Sequence, residues 1–495
     1  MTDPDAGTAS VDSVALRAGV YADSVTLLQL SQAVGQAPGV QAALVAMATE
    51  LNLQLLAGMG FAPPPTRSAH ELFIAVRAAD AESAQAATTL AEQLLAAPRR
   101  TGDGTGVEQP PRTVGKAAAA HGAGLALISV PGQHAFTEAM DALQAGCHVL
   151  LFSDNVSLEQ EIALKDAAAE RGLLVMGPDC GTAVVGGVGL GFAHTLRPGP
   201  VGLVAASGTG AQQVLCLLDA AGVGISAALG VGGRDLSEPV AGRSSLAALD
   251  LLDRDPATEL ILVVSKPPAG PVAERLRSAA AQATTPVRFA LLGPDQPDLT
   301  AATEAALREL GVPVPDWPSW PASAARAAEA GWLRGLFCGG TLCDEAMLIA
   351  GAALGPIRSN IPLRPDWALP DSQLTAAGHT MIDFGADELT RGRAHPMIDP
   401  SLRNQQLRAA AADPGTGVLL LDVVLGHGAH PDPVAELLPV LADVRQPVVI
   451  SLIGAGQDPQ DLAGSGRRLA AAGAAVFCSN AAATRHALAL LGVPA

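Results

Sequence analysis

Short apolar runs alternate with alanine-rich stretches of helical length along most of this chain. Each run has about four to eight residues, the length of a strand that is buried on both faces of a sheet. Residues 24–35 predict a helix, and the runs that predict strands are 39–46, 71–76, 125–130, 148–153, 173–177, 201–207 and 258–268. Strands that alternate with helices indicate βα units, so we expect an α/β protein with parallel sheets.

Two polar, proline-rich stretches interrupt this alternation and predict linkers. The first is RRTGDGTGVEQPPRT (99–113), and the second, 313–330, begins VPVPDWPSWP. A chain of 495 residues is too long for one hydrophobic core, which also favours several domains. The predicted units are 1–112 (a small α/β domain and linker), 113–196, 197–312, 313–330 (a linker) and 331–495.

The composition narrows the classes of partner. The chain has 48 acidic and 30 basic residues and a net charge of -18, which opposes binding to the phosphate backbone of nucleic acid. Six scattered cysteines form no Cys-x-x-Cys pair, so we expect a reducing, cytoplasmic location and no metal site. The apolar runs are shorter than a membrane span, so no membrane partner is expected.

Two glycine-rich turns follow apolar strands and precede predicted helices. They are Ser207-Gly208-Thr209-Gly210 and Gly426-His427-Gly428. The first amides of a helix lack partners within the helix, and its dipole adds positive charge there, so each turn is a candidate anion site. We expect the two helix starts to converge on one phosphate or carboxylate. The alternatives are an ordinary helix cap at the first turn and a surface loop with an incidental histidine at the second.

Three more candidates follow predicted strands, where ligands of open α/β sheets bind. Asn155 lies in a polar turn, Cys180 in GPDCG, and Arg234 in GVGGRDL. The side chains of Asn155 and Arg234 carry hydrogen-bond donors, so both are candidates for binding an anionic substrate. For Arg234, the alternative is a surface turn without a ligand. Cys180 either lines a ligand pocket, acts as a nucleophile, or packs a tight turn, and no base lies beside it in the sequence.

Positive charge concentrates at two other places. Lys266, one of three lysines, lies in the proline-containing turn that ends the run 258–268, and it is expected to act on a ligand. The loop RGRAHPMIDPSLRN (391–404) contains Arg393 and Arg403, which are candidates for substrate binding, and His395, a candidate proton carrier. A solvated, salt-bridged loop is the alternative for this segment.

Five stretches resemble the FdrA family of bacterial proteins. They are 146–194, VGLVAASGTG (201–210), GVGGRDLS (230–237), FCGGTL (337–342) and RGRAHPMIDPSLRNQ (391–405). FdrA proteins in turn resemble succinyl-CoA synthetase. The resemblance implies a CoA-binding Rossmann-like domain at 113–196 and two flavodoxin-like ligase domains at 197–312 and 331–495. It also implies that turns 207–210 and 426–428 each supply a helix start to one phosphate.

The chain departs from the synthetase pattern at the phosphate carrier. The synthetase has a phosphohistidine loop that corresponds to FALLGPDQPDLTAA (289–302), which contains no histidine. Its carboxylate that orients the histidine corresponds to Ser265-Lys266, and its ATP-grasp domain has no counterpart in this sequence. A nucleotide-driven ligase is therefore not the first expectation.

The resemblance implies a subunit of an oxamate carbamoyltransferase in allantoin catabolism, in which oxalurate and phosphate give oxamate and carbamoyl phosphate. His427, His395 and Lys266 would be its catalytic residues. No cofactor would be required, although CoA could bind, and the partners would be small anions, companion proteins and further copies of this chain. An acyl-CoA synthetase or CoA-binding protein is one alternative, and a non-catalytic scaffold subunit is another.

Overall fold

A computed structural model describes residues 10–20, 22, 24–65, 68, 71–96, 111–323, 331–370, 373–391 and 393–493. Within these ranges the chain forms two compact units. The N-terminal unit takes its residues from Met1–Gln109 and Asp387–Leu402, and the second unit from Pro110–Ala386 and Arg403–Ala495. Residues 387–402 thus group with the N-terminal unit, although the sequence predicts them within 331–495.

The N-terminal unit contains a small antiparallel sheet with helices packed on it. Its elements between residues 10 and 96 are β1 (Val11–Arg17), α1 (Ser24–Gly35), β2 (Val40–Met47), α2 (Glu50–Gly58), β3 (Leu72–Ala78) and α3 (Ala81–Ala96). The strand order is β1-β3-β2, so β3 lies between two strands that a helix connects, as in a split βαβ motif. The helix predicted at 24–35 and the strands predicted at 39–46 and 71–76 are confirmed.

The second unit begins with a three-stranded parallel sheet and a hairpin. The elements are α4 (Val114–His121), β4 (Leu125–Ile128), α5 (Gly132–Gln144), β5 (His148–Leu151), α6 (Leu158–Ala169), β6 (Val175–Met176), β7 (Thr182–Val185) and β8 (Val188–Gly191). Strands β4, β5 and β6 form the parallel sheet. Helix α6 begins with a capping box between Ser157 and Gln160.

A six-stranded sheet follows, in the order β12-β11-β9-β10-β7-β8. Its new elements are β9 (Pro198–Ala206), α7 (Gly208–Ala220), β10 (Ile225–Gly230), α8 (Arg243–Asp253), β11 (Leu260–Ser265), α9 (Gly270–Ala280), β12 (Val287–Leu291) and α10 (Leu299–Glu309). Strands β9 to β12 are parallel, and the hairpin β7–β8 adds an antiparallel edge. The central strands β9 and β11 therefore end side by side at one edge of the sheet.

A seven-stranded sheet, in the order β13-β19-β18-β17-β14-β16-β15, completes the fold. The elements from residue 319 are β13 (Ser319–Trp320), β14 (Trp332–Phe337), α11 (Gly340–Leu354), β15 (Ile357–Arg358), a 3-10 helix (Pro365–Trp367), β16 (His379–Asp383), α12 (Asp387–Thr390), α13 (Ser401–Ala412), β17 (Thr416–Val424), α14 (Pro433–Leu441), β18 (Val448–Ile453), α15 (Leu462–Ala471), β19 (Ala474–Phe477) and α16 (Asn480–Leu490). All these strands are parallel except β13, which pairs antiparallel with β19.

The predicted linker 313–330 includes part of this sheet. Strand β13 lies inside it, and the Trp320 ring packs on α15 at Gly466, where a Cβ atom would lie 2.6 Å from Trp320 Cε2. The predicted multidomain α/β class with parallel sheets is confirmed. Among the described helices, none has the length and apolar character that a membrane span requires.

Candidate functional site

The helices α7 and α11 begin against each other in the second unit. Ser207 caps α7 by accepting the Gly210 N–H at 3.0 Å, and its hydroxyl donates to Thr341 Oγ1 at 2.7 Å. Thr209 packs on Gly339, where a Cβ atom would lie 2.6 Å from Thr209 Cβ. We call Ser207–Gly210 together with Gly339–Thr341 the α7–α11 junction. It joins the starts of two helices that follow central strands of different sheets.

Two charged side chains lie over the start of α11. A Cβ atom at Gly340 would be 2.8 Å from both Asp383 Oδ2 and Lys266 Nζ, so glycine leaves the space that these groups occupy. Lys266 follows β11, and Asp383 is the last residue of β16. The carboxyl ends of strands from both sheets therefore deliver one ammonium and one carboxyl group to the junction.

A buried ion pair holds the backbone before α11 in place. Asp422, on β17, accepts the N–H groups of Cys338 at 2.7 Å and Gly339 at 3.0 Å. Arg403 pairs with Asp422 at 3.2 Å and also donates to the Asp422 carbonyl oxygen at 2.7 Å. Burial raises the pKa of Asp422, while Arg403 and the two amides oppose that rise. The next amides, those of Gly340 and Thr341, lie in the first turn of α11, where helical geometry provides no acceptor.

Burial sets the protonation of the acidic groups at the junction. It raises the pKa of Asp383 to about 7 and that of Asp344, on α11, to about 6, and in both cases the charge of Lys266 opposes the rise. Burial lowers the pKa of Lys266, but Asp344 and Asp383 outweigh it, so the pKa of the ammonium is raised. Near neutral pH the site thus combines a fixed cation with a carboxyl group that gains and loses a proton easily.

The second predicted helix start, at 426–428, is wrong. Helix α14 begins only at Pro433 and is capped by Asp432. The Gly426 N–H donates to Gln460 Oε1 at 3.0 Å, and the His427 N–H donates to the Ala193 carbonyl oxygen at 2.7 Å. The backbone pairs antiparallel with Ala193, and the exposed His427 ring lies 3.1 Å from Thr195 Oγ1. The amides at Gly426 and His427 are therefore used inside the protein, and the turn that faces 207–210 is 339–341.

Cys180 is not placed to contact a substrate. Its side chain is buried in the core below the hairpin, where a Cβ atom at Gly230 would lie 2.6 Å from Cys180 Sγ. Burial raises the pKa of its thiol to about 12, so no thiolate forms near neutral pH. The packing interpretation of this cysteine fits the structure, and the substrate-binding expectation is corrected.

Two of the predicted substrate arginines are engaged in ion pairs. Arg234 donates to Glu161 Oε2 at 3.0 Å and to the Val156 carbonyl oxygen at 2.8 Å. The same Glu161 binds the buried Lys165 at 2.7 Å, so Arg234 completes a network between α6 and the loop after β10. Arg403 is the buried partner of Asp422. The buried Arg403 guanidinium therefore stabilises the fold and is not free to hold a substrate carboxylate. The Arg234 side chain is half exposed and is engaged with Glu161 through Nε and Nη2.

Arg393 and His395 belong to the N-terminal unit. The Nδ1 atom of His395 accepts the Met397 N–H at 3.3 Å, and burial lowers the pKa of this imidazole to about 4. His395 is therefore neutral at physiological pH and does not serve as the expected proton carrier. Arg393 is 9% exposed and lines a cavity of this unit.

Asn155 and Gly208, two of the remaining sequence candidates, are exposed and accessible to a ligand. Asn155 is exposed beyond the carboxyl end of β5 and adopts a left-handed backbone with φ 52°. Gly208 is exposed, and its amide and that of Thr209 lie in the first turn of α7. Gly210 and the Ser207 hydroxyl are used by the cap, so they position the turn.

The sequence reasoning missed the partner turn. Gly339, Gly340 and Thr341 lie in FCGGTL, one of the stretches that carry the family resemblance, but they are not among the sequence candidates, and neither are Asp344 and Asp383. The available signal was the same as at 207–210, an apolar strand followed by glycines and a helical pattern. The helix start at 339–340 lacks a Ser, Thr, Asp or Asn cap, which made that signal weak.

Two family models match the chain. Residues 10–111 match the family described as "AllF, heavy metal-associated domain", and residues 336–490 match "CoA-ligase". Among the described residues, no three His, Cys, Asp or Glu side chains group as metal ligands, and the first cysteine of the sequence is Cys147. The described N-terminal residues therefore do not fit a metal site, and α11 and Asp383 lie within the CoA-ligase match.

Sequence relatives extend these matches. The chain is 29% identical to the succinate–CoA ligase [ADP-forming] subunit alpha of Aquifex aeolicus (strain VF5) over 31% of this chain and 51% of that subunit. It is 29% identical to the malate–CoA ligase subunit alpha of Methylorubrum extorquens over 31% of this chain and 53% of that subunit. The chain thus spans about half the length of these ligase subunits.

One relative matches nearly end to end, while a solved structure matches weakly. ATP citrate lyase from Methanothrix soehngenii, in complex with citrate and coenzyme A, has 20% identity and a TM-score of 0.32, covering 41% of this chain and 38% of that chain, which is too weak for a functional inference. The protein YahF of Escherichia coli (strain K12) is 37% identical over 454 residues, 87% of each chain. The resemblance to succinyl-CoA synthetase is therefore confirmed for its α subunit, and the chain belongs to the family of YahF, an FdrA-like protein with a CoA-ligase domain.

Proposed function

We propose that this protein transfers an acyl group between phosphate and the thiol of CoA, and that the phosphate binds at the α7–α11 junction. The observation that carries the proposal is the 2.7 Å hydrogen bond from Ser207 to Thr341, which joins two helix starts beside Lys266. Helix N-termini and an ammonium group together attract a phosphate. The CoA-ligase match and the ligase α-subunit relatives support CoA as the acceptor. This reading replaces carbamoyl transfer as the first choice.

The proposed reaction uses the two kinds of group at the junction differently. The CoA sulfur attacks the carbonyl carbon of an acyl phosphate, the bond from that carbon to the phosphate oxygen breaks, and free phosphate leaves. The amides of Gly208 and Gly340 and the ammonium of Lys266 stabilise the charge that develops on the leaving phosphate. Asp383, with its pKa near 7, accepts the thiol proton.

A thioester assay with the whole chain tests this proposal. The protein is incubated with CoA and acetyl, propionyl or succinyl phosphate, and acyl-CoA is measured by chromatography. We expect acyl-CoA from at least one of these donors and a loss of about a hundredfold or more in rate for Lys266→Met. The control is Lys116→Met, which removes an exposed lysine of α4 and should leave the rate unchanged.

The outcome against the proposal is equally defined. If correctly folded protein forms no acyl-CoA from any of the three donors, acyl transfer to CoA is rejected. If acyl-CoA forms at the same rate in Lys266→Met, the reaction occurs elsewhere and the α7–α11 junction is not its site.

Carbamoyl transfer is the second candidate. The specific observation in its favour is that the loop after β12, Gly293–Gln296, contains no histidine to carry phosphate, while carbamoyl phosphate would supply the same anion directly. Oxamate would replace CoA as the acceptor, and oxalurate would form with release of phosphate. The same incubation with carbamoyl phosphate and oxamate, with and without companion proteins, separates the candidates by product. A scaffold subunit predicts that Thr209→Val leaves the assembled complex fully active.

A further inference from the structure

A cavity of about 350 Å³ lies within the N-terminal unit, separate from the residues proposed for acyl transfer. Apolar side chains of α1, β2 and α2 form most of its wall, among them Leu27, Leu55 and Met59. The segment 393–401 closes the wall with polar groups. This volume lies in the range of small-molecule sites, which combine apolar walls with a few fixed polar groups.

Arg393 brings two unused hydrogen-bond donors to this cavity. Its side chain is more than nine-tenths buried, and neither Nε nor Nη1 has a hydrogen-bond partner among the described residues. The third nitrogen, Nη2, has only a long contact of 3.5 Å to Asn52 Oδ1. Buried donors without hydrogen-bond partners destabilise a fold, so such donors indicate a place where a ligand supplies the acceptors.

The cavity wall also contains a carboxylate, that of Asp399, which limits how much negative charge a ligand can carry. Asp399 is held by its hydrogen bond from the Ser401 N–H at 3.0 Å, and its charge opposes the effect of burial, which lowers the pKa of Arg393. With one carboxylate already in the wall, a dianion would add two further negative charges beside a single guanidinium, so a ligand with one negative charge is favoured. A single carboxylate suits the two adjacent donors Nε and Nη1, which match its two oxygens.

We propose that this cavity binds a small organic monocarboxylate, with its carboxylate on Nε and Nη1 of Arg393 and its apolar part against Leu27, Leu55 and Met59. The site is independent of the α7–α11 junction. It gives the N-terminal unit a ligand-binding function that does not involve a metal.

Calorimetry with the full chain tests the site. The probes are straight-chain carboxylates from propionate to octanoate, phenylacetate, hexanamide as an uncharged match to hexanoate, and inorganic phosphate. We expect saturable binding of one or more carboxylates and no binding of hexanamide or phosphate. Arg393→Met should weaken that binding about tenfold to a hundredfold, the loss of a charge-assisted pair of hydrogen bonds. Arg391→Met, a change at an exposed neighbour, should leave it unchanged.

Thermal unfolding separates this site from a structural role for Arg393. Without ligand, Arg393→Met should unfold at the same temperature as the wild type or higher, because it removes a buried guanidinium whose Nε and Nη1 lack hydrogen-bond partners. Hexanoate or octanoate should raise the unfolding temperature of the wild type but not of the variant. The proposal is overturned if no carboxylate in the panel binds, if hexanamide binds equally well, or if Arg393→Met unfolds at a lower temperature and binds as tightly.

Discussion

Two glycine-rich turns that look alike in the sequence have opposite environments in the folded chain. The turn 207–210 begins α7 and lies next to a second helix start, to which the Ser207 hydroxyl donates a hydrogen bond. The turn 426–428 ends β17, pairs with residue 193 and is held by Gln460. Both turns follow a strand whose carboxyl-terminal half is buried, yet only the first leads directly into a helix.

The difference shows what makes a glycine turn available to an anion. At the first turn and the turn that faces it, Ser207 and Asp422 accept the amides of Gly210, Cys338 and Gly339, while the first amides of α7 and α11 have no acceptor within their helices. At the second turn, Gln460 and the Ala193 carbonyl oxygen accept the amides of Gly426 and His427, which are then lost to a ligand. A glycine-rich turn indicates that the backbone lies close to another group, but it does not indicate whether that group belongs to the protein or to a ligand.

The largest effect is expected from Asp422→Asn, which removes the charge behind the 339–341 turn. Arg403 would then keep a buried charge without its carboxylate, at a cost of about 3–5 kcal/mol in the free energy of unfolding. Gln460→Ala, which removes the neutral group holding the 426–428 turn, should cost about 1–2 kcal/mol. Urea unfolding of both variants measures the difference. Equal losses would mean that the two turns are held in equivalent ways.

A smaller effect is expected from Gly339→Ala. The new Cβ would lie 2.6 Å from Thr209 Cβ, so the two helix starts must separate, at a cost of about 1–3 kcal/mol in unfolding free energy. The control is Gly270→Ala at the start of α9, where nothing lies within 4 Å and stability should hold or rise slightly. If both variants unfold at the same urea concentration, the contact between Thr209 and Gly339 is looser than the structure indicates.

The pH dependence of anion binding tests the charge at the junction. The pKa of Asp383 is raised to about 7, above its ordinary value, so its protonated form predominates at lower pH and its charge appears as pH rises. Sulfate, whose charge is constant in this range, should bind roughly tenfold more weakly at about pH 8 than at about pH 6, because the ionised carboxylate repels it. Asp383→Asn should remove most of this dependence in calorimetry, and an unchanged profile would exclude Asp383 as the titrating group.

Asp383 also links pH to stability with a defined sign. Because burial raises its folded pKa above 3.8, it contributes stability that is fully present at acidic pH and lost as pH rises toward about 7. Asp383→Asn should therefore narrow the difference in urea stability between about pH 5 and about pH 8.

The smallest effect is expected from His427→Ala. The exposed ring contacts Thr195 and contributes no group to the α7–α11 junction, so unfolding free energy should change by less than about 0.5 kcal/mol. The acyl-transfer rate should equal that of the wild type. A large loss of rate with unchanged stability would restore this histidine as a catalytic residue and would reverse the ranking of the two turns.

Local features of the fold were predictable from the sequence, and longer-range ones were not. The helix at Ser24–Gly35, the strand before Ser207 and the cap of α7 follow from patterns within a few residues. The true start of α14 also has a local signal, because Asp432-Pro433 is a typical helix start with proline in the first turn. The surroundings of Arg234, Arg403 and Cys180 could not be inferred from the sequence. The carboxylates that pair with the two arginines lie on other segments of the chain, and Cys180 is buried in the core.

The sequence by itself determined the alternation of strands and helices and the helix start at Ser207, because periodicity and capping depend on neighbours along the chain. Only the tertiary structure decided that this helix start faces Thr341, 134 positions away, and that Lys266 and Asp383 meet above Gly340. The reason is physical: the charge, protonation and availability of a polar group depend on what burial removes and which partners packing supplies.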